Sequence, residues 1–347
     1  MTKKTNRIEI FGEQIAPNSQ HSFDIPVGQL YTRTDVSIPV QVVNGKSRGP
    51  VLLICAAIHG DELNGIEIVR RVVNSHWIKR LRGTLIAVPV VNVLGLILRS
   101  RYLPDRRDLN RCFPGSEKGS LGARVANLFV QEILQKCHYA IDFHTGALHR
   151  ANLPQVRVHL DNPAATEMAH AFGVPLIIDA PIRDGSLRGA GDDLNIPIIT
   201  YEGGEALRFD ESAIKAGVDG VRNVMLHLNM LPPRRRKVKS FEGFVAKASH
   251  WVRAPADGLF RCHVLLGKRV ERGDVIGVVT GPLGDDEIPV VAPAAGIIIG
   301  MTHLPLVNEG EALVHLARFD AIEEVHNVME EFQQEMDSLQ PGATPES

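Results

Sequence analysis

Four side chains in this sequence have the types and spacing that metal chemistry needs. His59-Gly-Asp-Glu62 sets a His and a Glu three residues apart, where an apolar run gives way to a helical pattern, so both can point at one ion. Zinc accepts imidazole nitrogen and carboxylate oxygen, and a catalytic zinc keeps three protein ligands and one open position. The third ligand must come from elsewhere. The best candidate is His144, in Asp142-Phe-His-Thr-Gly146, which also ends a strand-like run. Glu202 is placed in the same way, after Ile198-Ile-Thr-Tyr201 and before Gly203-Gly204. A carboxylate beside a metal can take the proton of a water and pass it to a leaving amine. Taken singly, H-x-x-E is an ordinary polar loop and Glu202 an ordinary loop carboxylate. The reading rests on their shared position, because sites in open α/β sheets gather outside the carboxyl ends of strands. Asp142 lies two residues before His144, hence on the same strand face; there it serves either to hold a ligand imidazole or a purely structural end. The other histidines, among them His76, His138, His149, His159 and His170, lack such context.

The elements that must position these groups are legible as a pattern. Val51–Ile58 is a continuous apolar run, the mark of a strand buried on both faces. After the His59–Glu62 loop, Ile66, Val69, Val72 and Val73 fall at helical spacing within Leu63–His76. Thr84–Asn92 reads as a strand interrupted by Pro89, Gly122–Gln135 as a helix, Tyr139–Phe143 as a strand ending at His144, and Ile196–Tyr201 as a strand ending at Glu202. Strands alternating with helices predict a layered α/β domain.

Composition narrows the classes. The chain has 347 residues, which suggests two domains. Its 44% hydrophobic and 22% charged residues are ordinary for a globular core. With 38 Lys+Arg against 40 Asp+Glu the net charge is -2, which argues against a dedicated nucleic-acid or anionic-membrane binder. No apolar run approaches the ~20 residues of a membrane helix, and no secretory signal is visible at the start. Cys55, Cys112, Cys137 and Cys262 form no C-x-x-C pair, so a reduced, cytoplasmic setting is expected.

The texture changes at Pro232-Pro-Arg-Arg-Arg-Lys237, a basic stretch that reads as a solvated connector. Short apolar runs split by Gly and Pro follow, including Ala254-Pro-Ala-Asp-Gly258 and Ala292-Pro-Ala-Ala-Gly296, the pattern of an all-β module. Ala321–Leu339 reads as a charged helix and Gln340–Ser347 as a disordered tail. The expected division is a catalytic domain over 1–236, a β-barrel-like domain over 237–319, and a helix and tail over 320–347.

In order along the chain stand His59-Gly-Asp-Glu62, Asp108-Leu-Asn-Arg-Cys-Phe-Pro114, Asp142-Phe-His-Thr-Gly146 and Tyr201-Glu-Gly-Gly204. Together, over about residues 50–205, they resemble the succinylglutamate desuccinylase/aspartoacylase family, a branch of the zinc carboxypeptidase clan. The resemblance implies a mixed-sheet α/β zinc-carboxypeptidase-like domain followed by a small β domain. It implies one zinc per subunit on His59, Glu62 and His144, with Glu202 as general base. Asn110 and Arg111 would bind a substrate carboxylate, a role suited to the planar guanidinium fork. Arg188, in Ser186-Leu-Arg188, is the nearest match to a further substrate-binding Arg, though its spacing differs. Arg101 best fits an Arg that polarises the scissile carbonyl, with Arg106 and Arg107 competing. A C-terminal Tyr that some members place near substrate has no counterpart, since the four tyrosines are Tyr31, Tyr102, Tyr139 and Tyr201.

The module after residue 237 resembles the biotinyl/lipoyl carrier barrel. The hairpin tip that carries the modified Lys there is here Thr280–Glu287, without a lysine. It is therefore expected to be a barrel lacking carrier chemistry, used as an active-site lid or an oligomer contact. The expected activity is metal-dependent hydrolysis of the amide bond of a small N-acyl amino acid. A carboxypeptidase is the nearest alternative. A non-catalytic binding protein would have lost a ligand or the base, and none is missing. No nucleic-acid or membrane partner is expected.

Overall fold

The computed structural model describes residues 7–10, 12–233, 241–284 and 286–337. After a small hairpin of β1 (Ile8–Ile10) and β2 (Glu13–Ile15), the long strands β3 (Ser19–Gln29) and β4 (Asp35–Asn44) form one edge of a large sheet. The central strands are β5 (Ser47–Ala56), β6 (Arg82–Val88), β7 (Tyr139–Gly146), β8 (Arg150–Val158), β9 (Leu176–Asp179) and β10 (Ile198–Glu205). Between them run α1 (Asn64–Val73), α2 (Val93–Leu98), α3 (Leu121–Glu132), α4 (Pro163–Phe172) and α5 (Leu187–Asp193), with α6 (Glu211–His227) after β10. β5 is parallel to β6 and β7, and β10 is parallel to β7 but antiparallel to β8, so the sheet is mixed.

Both faces of the sheet are covered there, which is why β5 is apolar from Val51 to Ala56. Leu52, Ile54 and Ala56 join one core with residues of α1, α4 and α6, while Val51, Leu53 and Cys55 join a second core with α3 and α5. The predicted strands and helices fall in these places with shifted ends. β6 stops at Val88, before Pro89, and Leu63–His76 becomes α1 plus a 3-10 turn over His76–Arg80. His144 and Glu202 lie within β7 and β10 rather than after them.

The helix that follows the His59–Glu62 loop is set against the sheet at Gly65, where a Cβ would come within 2.6 Å of the Cβ atoms of Ala56 and Phe143. Ile68, Val69, Val72 and Val73 are buried along α1, each contributing roughly 1.5–3 kcal/mol. The surface pairs of Arg71 with Glu67 and Glu211 contribute ~0–1 kcal/mol each. Apolar packing therefore decides where α1, and with it Glu62, is held.

The C-terminal part is β11 (Phe244–Ala246), β12 (Ala248–Arg253), β13 (Gly258–Cys262), β14 (Arg269–Val270), β15 (Val275–Thr280), β16 (Glu287–Val291), β17 (Gly296–Thr302), β18 (Leu306–Val307), β19 (Ala312–Arg318) and α7 (Ile322–Asp337). The expected barrel resembling biotinyl/lipoyl carriers is not what forms. β16-β15-β13-β18 make an open four-stranded sheet, whereas β12, β19 and β17 extend the large sheet. The reason lies in one edge: Gly300, Met301 and Thr302 of β17 pair with Asn152, Ala151 and Arg150 of β8, so this edge is spent on the large sheet instead of closing a barrel. The two layers face one another across Phe260, Ile276, Val279, Ile298, Leu313 and Val314. The boundary placed at 236/237 and the tail from Gln340 lie outside the described residues. No described helix is long and apolar enough to cross a membrane.

Candidate metal centre and cleft

Strand register assembles the site as rungs across the sheet. One rung is Gln155 of β8, Glu202 of β10 and His144 of β7; the next is Arg157, Thr200 and Asp142, continued by Cys55 of β5. Alternation puts both rungs on one face. His59 and Glu62 reach the same place from the loop after β5.

His59, Glu62 and His144 are buried and offer donor atoms within 4.8 Å of one another. His59 Nδ1 is 2.7 Å from Glu62 Oε1, His144 Nδ1 is 2.8 Å from Glu62 Oε2, and the two Nδ1 atoms are 3.1 Å apart. The other ring nitrogens are occupied: His59 Nε2 is 3.1 Å from Asp108 Oδ1, and His144 Nε2 is 2.7 Å from Asp142 Oδ2. Each Nε2–H donates to its carboxylate, which leaves both Nδ1 lone pairs facing Glu62. Two imidazole nitrogens and a carboxylate aimed at one point suit a cation, which on binding would displace any proton held there. Charge agrees: Glu62, Asp108 and Asp142 gather here, with the Arg101 guanidinium on Glu62 and Asp108. Burial opposes a charge on His59, but Glu62 and Asp108 outweigh it and raise its pKa. Burial is likewise overcome at His144 by Asp142 and Glu62, which raise its pKa further. Glu62, despite burial, is held well below the carboxylate range by the two imidazoles. The donor set thus fits a divalent metal ion on nitrogen and oxygen ligands.

Asp108 was read in the sequence only as the start of the D-L-N-R motif. It proves to be a hub: Oδ1 takes His59 Nε2 and the Asn110 N–H, while Oδ2 takes Arg101 Nε and Nη2. Arg101 Nη1 reaches 3.2 Å from His59 Nδ1 and 3.4 Å from Glu62 Oε1, so Arg101 stands beside the donor set. Arg106 and Arg107, the competing candidates, are exposed, and Arg107 pairs with Asp105.

The centre opens into a cleft of about 570 Å³ lined by Arg101, Asn110, Arg111, Arg188 and Glu202 among others. Arg111 sits on a 3-10 turn over Leu109–Arg111. That turn is stapled to the segment carrying Arg188: Asn110 Oδ1 accepts the Leu187 N–H at 2.9 Å, and the Phe113 N–H donates to Gly185 O at 2.9 Å. Gly185 has φ +75, and a Cβ there would lie 2.6 Å from the Arg111 carbonyl oxygen. Arg188 is tied down by Ala180 O and Pro181 O, and burial together with nearby Arg157 lowers its pKa. Arg111 Nη1 donates to Asn110 O, and among the described residues no carboxylate forms an ion pair with Arg111 or Arg188.

Glu202 faces the cleft with both oxygens engaged. Asn152 Nδ2 donates to Oε2 at 2.8 Å, and Arg157 Nε lies 2.9 Å from Oε1. The latter is an ion pair rather than an aligned hydrogen bond, since the buried Nε–H finds no acceptor on its own axis. No role was assigned from the sequence to Asn152 or to Arg157. Gly204, at φ +76, makes room for Asn64, whose Nδ2 donates to Gly203 O and whose Oδ1 accepts the Asp210 N–H. Asn64 thereby ties the metal-ligand loop to the strand of Glu202. β12 supplies Ser249 and Trp251 to the cleft wall, with the Arg150 guanidinium over the Trp251 ring and His315 stacked on that ring, 4.7 Å between ring centres.

Fold and donor set define a metal-dependent hydrolase of amide bonds. The chain belongs to the succinylglutamate desuccinylase/aspartoacylase family, whose catalytic-domain model matches residues 48–228. The N-alpha-acetyl-L-2,4-diaminobutyric acid deacetylase of Halomonas elongata is 27% identical over 298 residues, covering 81% of this chain and 86% of that protein. A product-bound ectoine utilization protein from Ruegeria pomeroyi superposes with TM-score 0.79 at 23% identity, covering 92% of this chain and all of that one (100%). A succinylglutamate desuccinylase/aspartoacylase from Rhodobacter sphaeroides does so with TM-score 0.77 at 23% identity, covering 86% and 96%. These two likenesses establish the shared fold.

Proposed function

We propose that this protein is a zinc-dependent deacylase of a small N-acyl amino acid. The observation that carries the reading is the convergence of the buried His59, Glu62 and His144 donors with Glu202, Arg111 and Arg188 in one cleft. His59 Nδ1, the Glu62 carboxylate and His144 Nδ1 would hold the zinc, which when bound supplies a Lewis acid that polarises a carbonyl and acidifies water. Glu202 takes the proton of the attacking water at a carboxylate oxygen and delivers it to the nitrogen of the departing amine. Arg111 grips the amino acid's carboxylate with its fork, Asn110 orients that turn and presents its free amide, and Arg188 supports from the facing segment. Arg101 places positive charge where the carbonyl oxygen gains negative charge. The family and the deacetylase relative favour an acyl amide over a peptide bond.

The test is a mass-spectrometric hydrolysis screen of the zinc-loaded protein. The panel holds N-acetyl and N-succinyl amino acids, Nα-acetyl-2,4-diaminobutyrate and short peptides. Release of free acid from the N-acyl set is expected, with Glu202→Gln slower by about 10²-fold or more. Release of C-terminal residues alone, or no turnover, would reject the reading.

A further inference from the structure

The segment Arg150-Ala-Asn-Leu-Pro-Gln-Val-Arg157 has no part in the mechanism so far, yet it forms β8, the strand beside Glu202. Its pairing with β10 is irregular. Glu202 lies opposite Gln155 but Gly204 opposite Asn152, so two steps on β10 meet three on β8. In a regular strand Asn152 and Gln155 would point to opposite faces. The extra residue re-aims one of them, as bulges beside active sites do. Pro154 sits in that irregular stretch, where its missing N–H costs no ladder bond. Outside it, the neighbour of β8 changes from β17 at Asn152 to β9 at Gln155. β17 offers Gly300 opposite Asn152, and a Cβ there would come 2.8 Å from Asn152 Oδ1. Backbone and sequence thus combine to aim the buried Asn152 amide at Glu202, 2.8 Å from Oε2.

We propose that Asn152, with Arg157, is a positioning residue for Glu202: the two hold one carboxylate oxygen each, and so orient the remaining lone pairs toward the water that reacts. The inference rests on Glu202 being the base. A carboxylate on an otherwise free Glu rotates about its last bond. A directed amide donor on one oxygen and a guanidinium beside the other remove that freedom, which is the condition for proton transfer at a fixed site. Neither residue touches the reacting atoms, so their loss should lower turnover and leave substrate binding nearly intact.

The test compares Asn152→Asp (same shape, no donor), Asn152→Ala, Arg157→Lys and Glu202→Gln on the panel substrate turned over fastest. Metal content and melting temperature are measured alongside. Both Asn152 variants should lose about 10- to 100-fold in kcat, the range a charge-assisted hydrogen bond commands, with KM moved less than about threefold and the metal retained. Arg157→Lys keeps the charge and should lose less. Adding Asn152→Asp to Glu202→Gln should change nothing further. Unaltered kcat in both Asn152 variants while Glu202→Gln is impaired would overturn the proposal, as would a raised KM at normal kcat. A fully active Glu202→Gln would instead remove the base reading beneath it.

Discussion

A buried imidazole presents to a metal whichever nitrogen its other partner leaves free. At His59 and His144 that partner is a carboxylate on Nε2, Asp108 in one case and Asp142 in the other. Each fixes the tautomer and raises the basicity of Nδ1. Asp142 is itself held from behind by the Cys55 thiol, whose pKa burial and Asp142 push up, so the thiol stays neutral. Changing either carboxylate to an amide keeps the shape but weakens the acceptor. Asp108→Asn and Asp142→Asn are each expected to lower metal affinity by about 10- to 100-fold, read by competition with a chromophoric chelator. Wild-type affinity in both would show that the carboxylates do not tune the ligands. Asp108→Asn should also slow turnover, because Asp108 anchors Arg101 as well.

At the scale of elements, the sequence disclosed what is local. The apolar runs that become β5, β7 and β10 stand out, and His144 and Glu202 are legible because each follows such a run. The edge strand β3 and its neighbour β4 were not read, although Phe23, Ile25 and Val27 alternate in β3. Asp108, Asn152 and Arg157 were missed for a different reason. Their partners lie on other strands or loops, and neither the β8–β10 register nor its irregularity is encoded by any one segment. The expected barrel failed on the same ground. Gly- and Pro-rich turns specify short strands but not which neighbour takes the last edge. The stapled turn and helix start that carry Arg111 and Arg188 give a test at this scale. Gly185→Ala would bring a methyl against the Arg111 carbonyl at a left-handed backbone position. It is expected to raise KM by about tenfold or more with kcat less affected and metal content unchanged. An unaltered KM would separate the staple from substrate binding.

Over the whole molecule, the cleft is a joint product of two regions. The large sheet and the loop after β5 supply the donor set and Glu202, and the sheet's continuation through β17 and β19 to β12 brings Trp251 to the same wall. His315, between Gly300 and Trp251 in the register, is buried with Nδ1 unpartnered, and burial with Arg157 and His250 nearby pushes its pKa down to about 3. A neutral, stacked imidazole is therefore part of what holds that wall. Every part of this arrangement presupposes that loop and strand ends distant in sequence meet at one ion. The most direct measurement is the metal content of the purified protein after zinc loading and exhaustive dialysis, for wild type and His144→Ala in parallel. About one zinc per chain in wild type, and its loss in a folded His144→Ala, is the expected result. A variant that keeps its full zinc, or a wild type that binds none, would contradict the account.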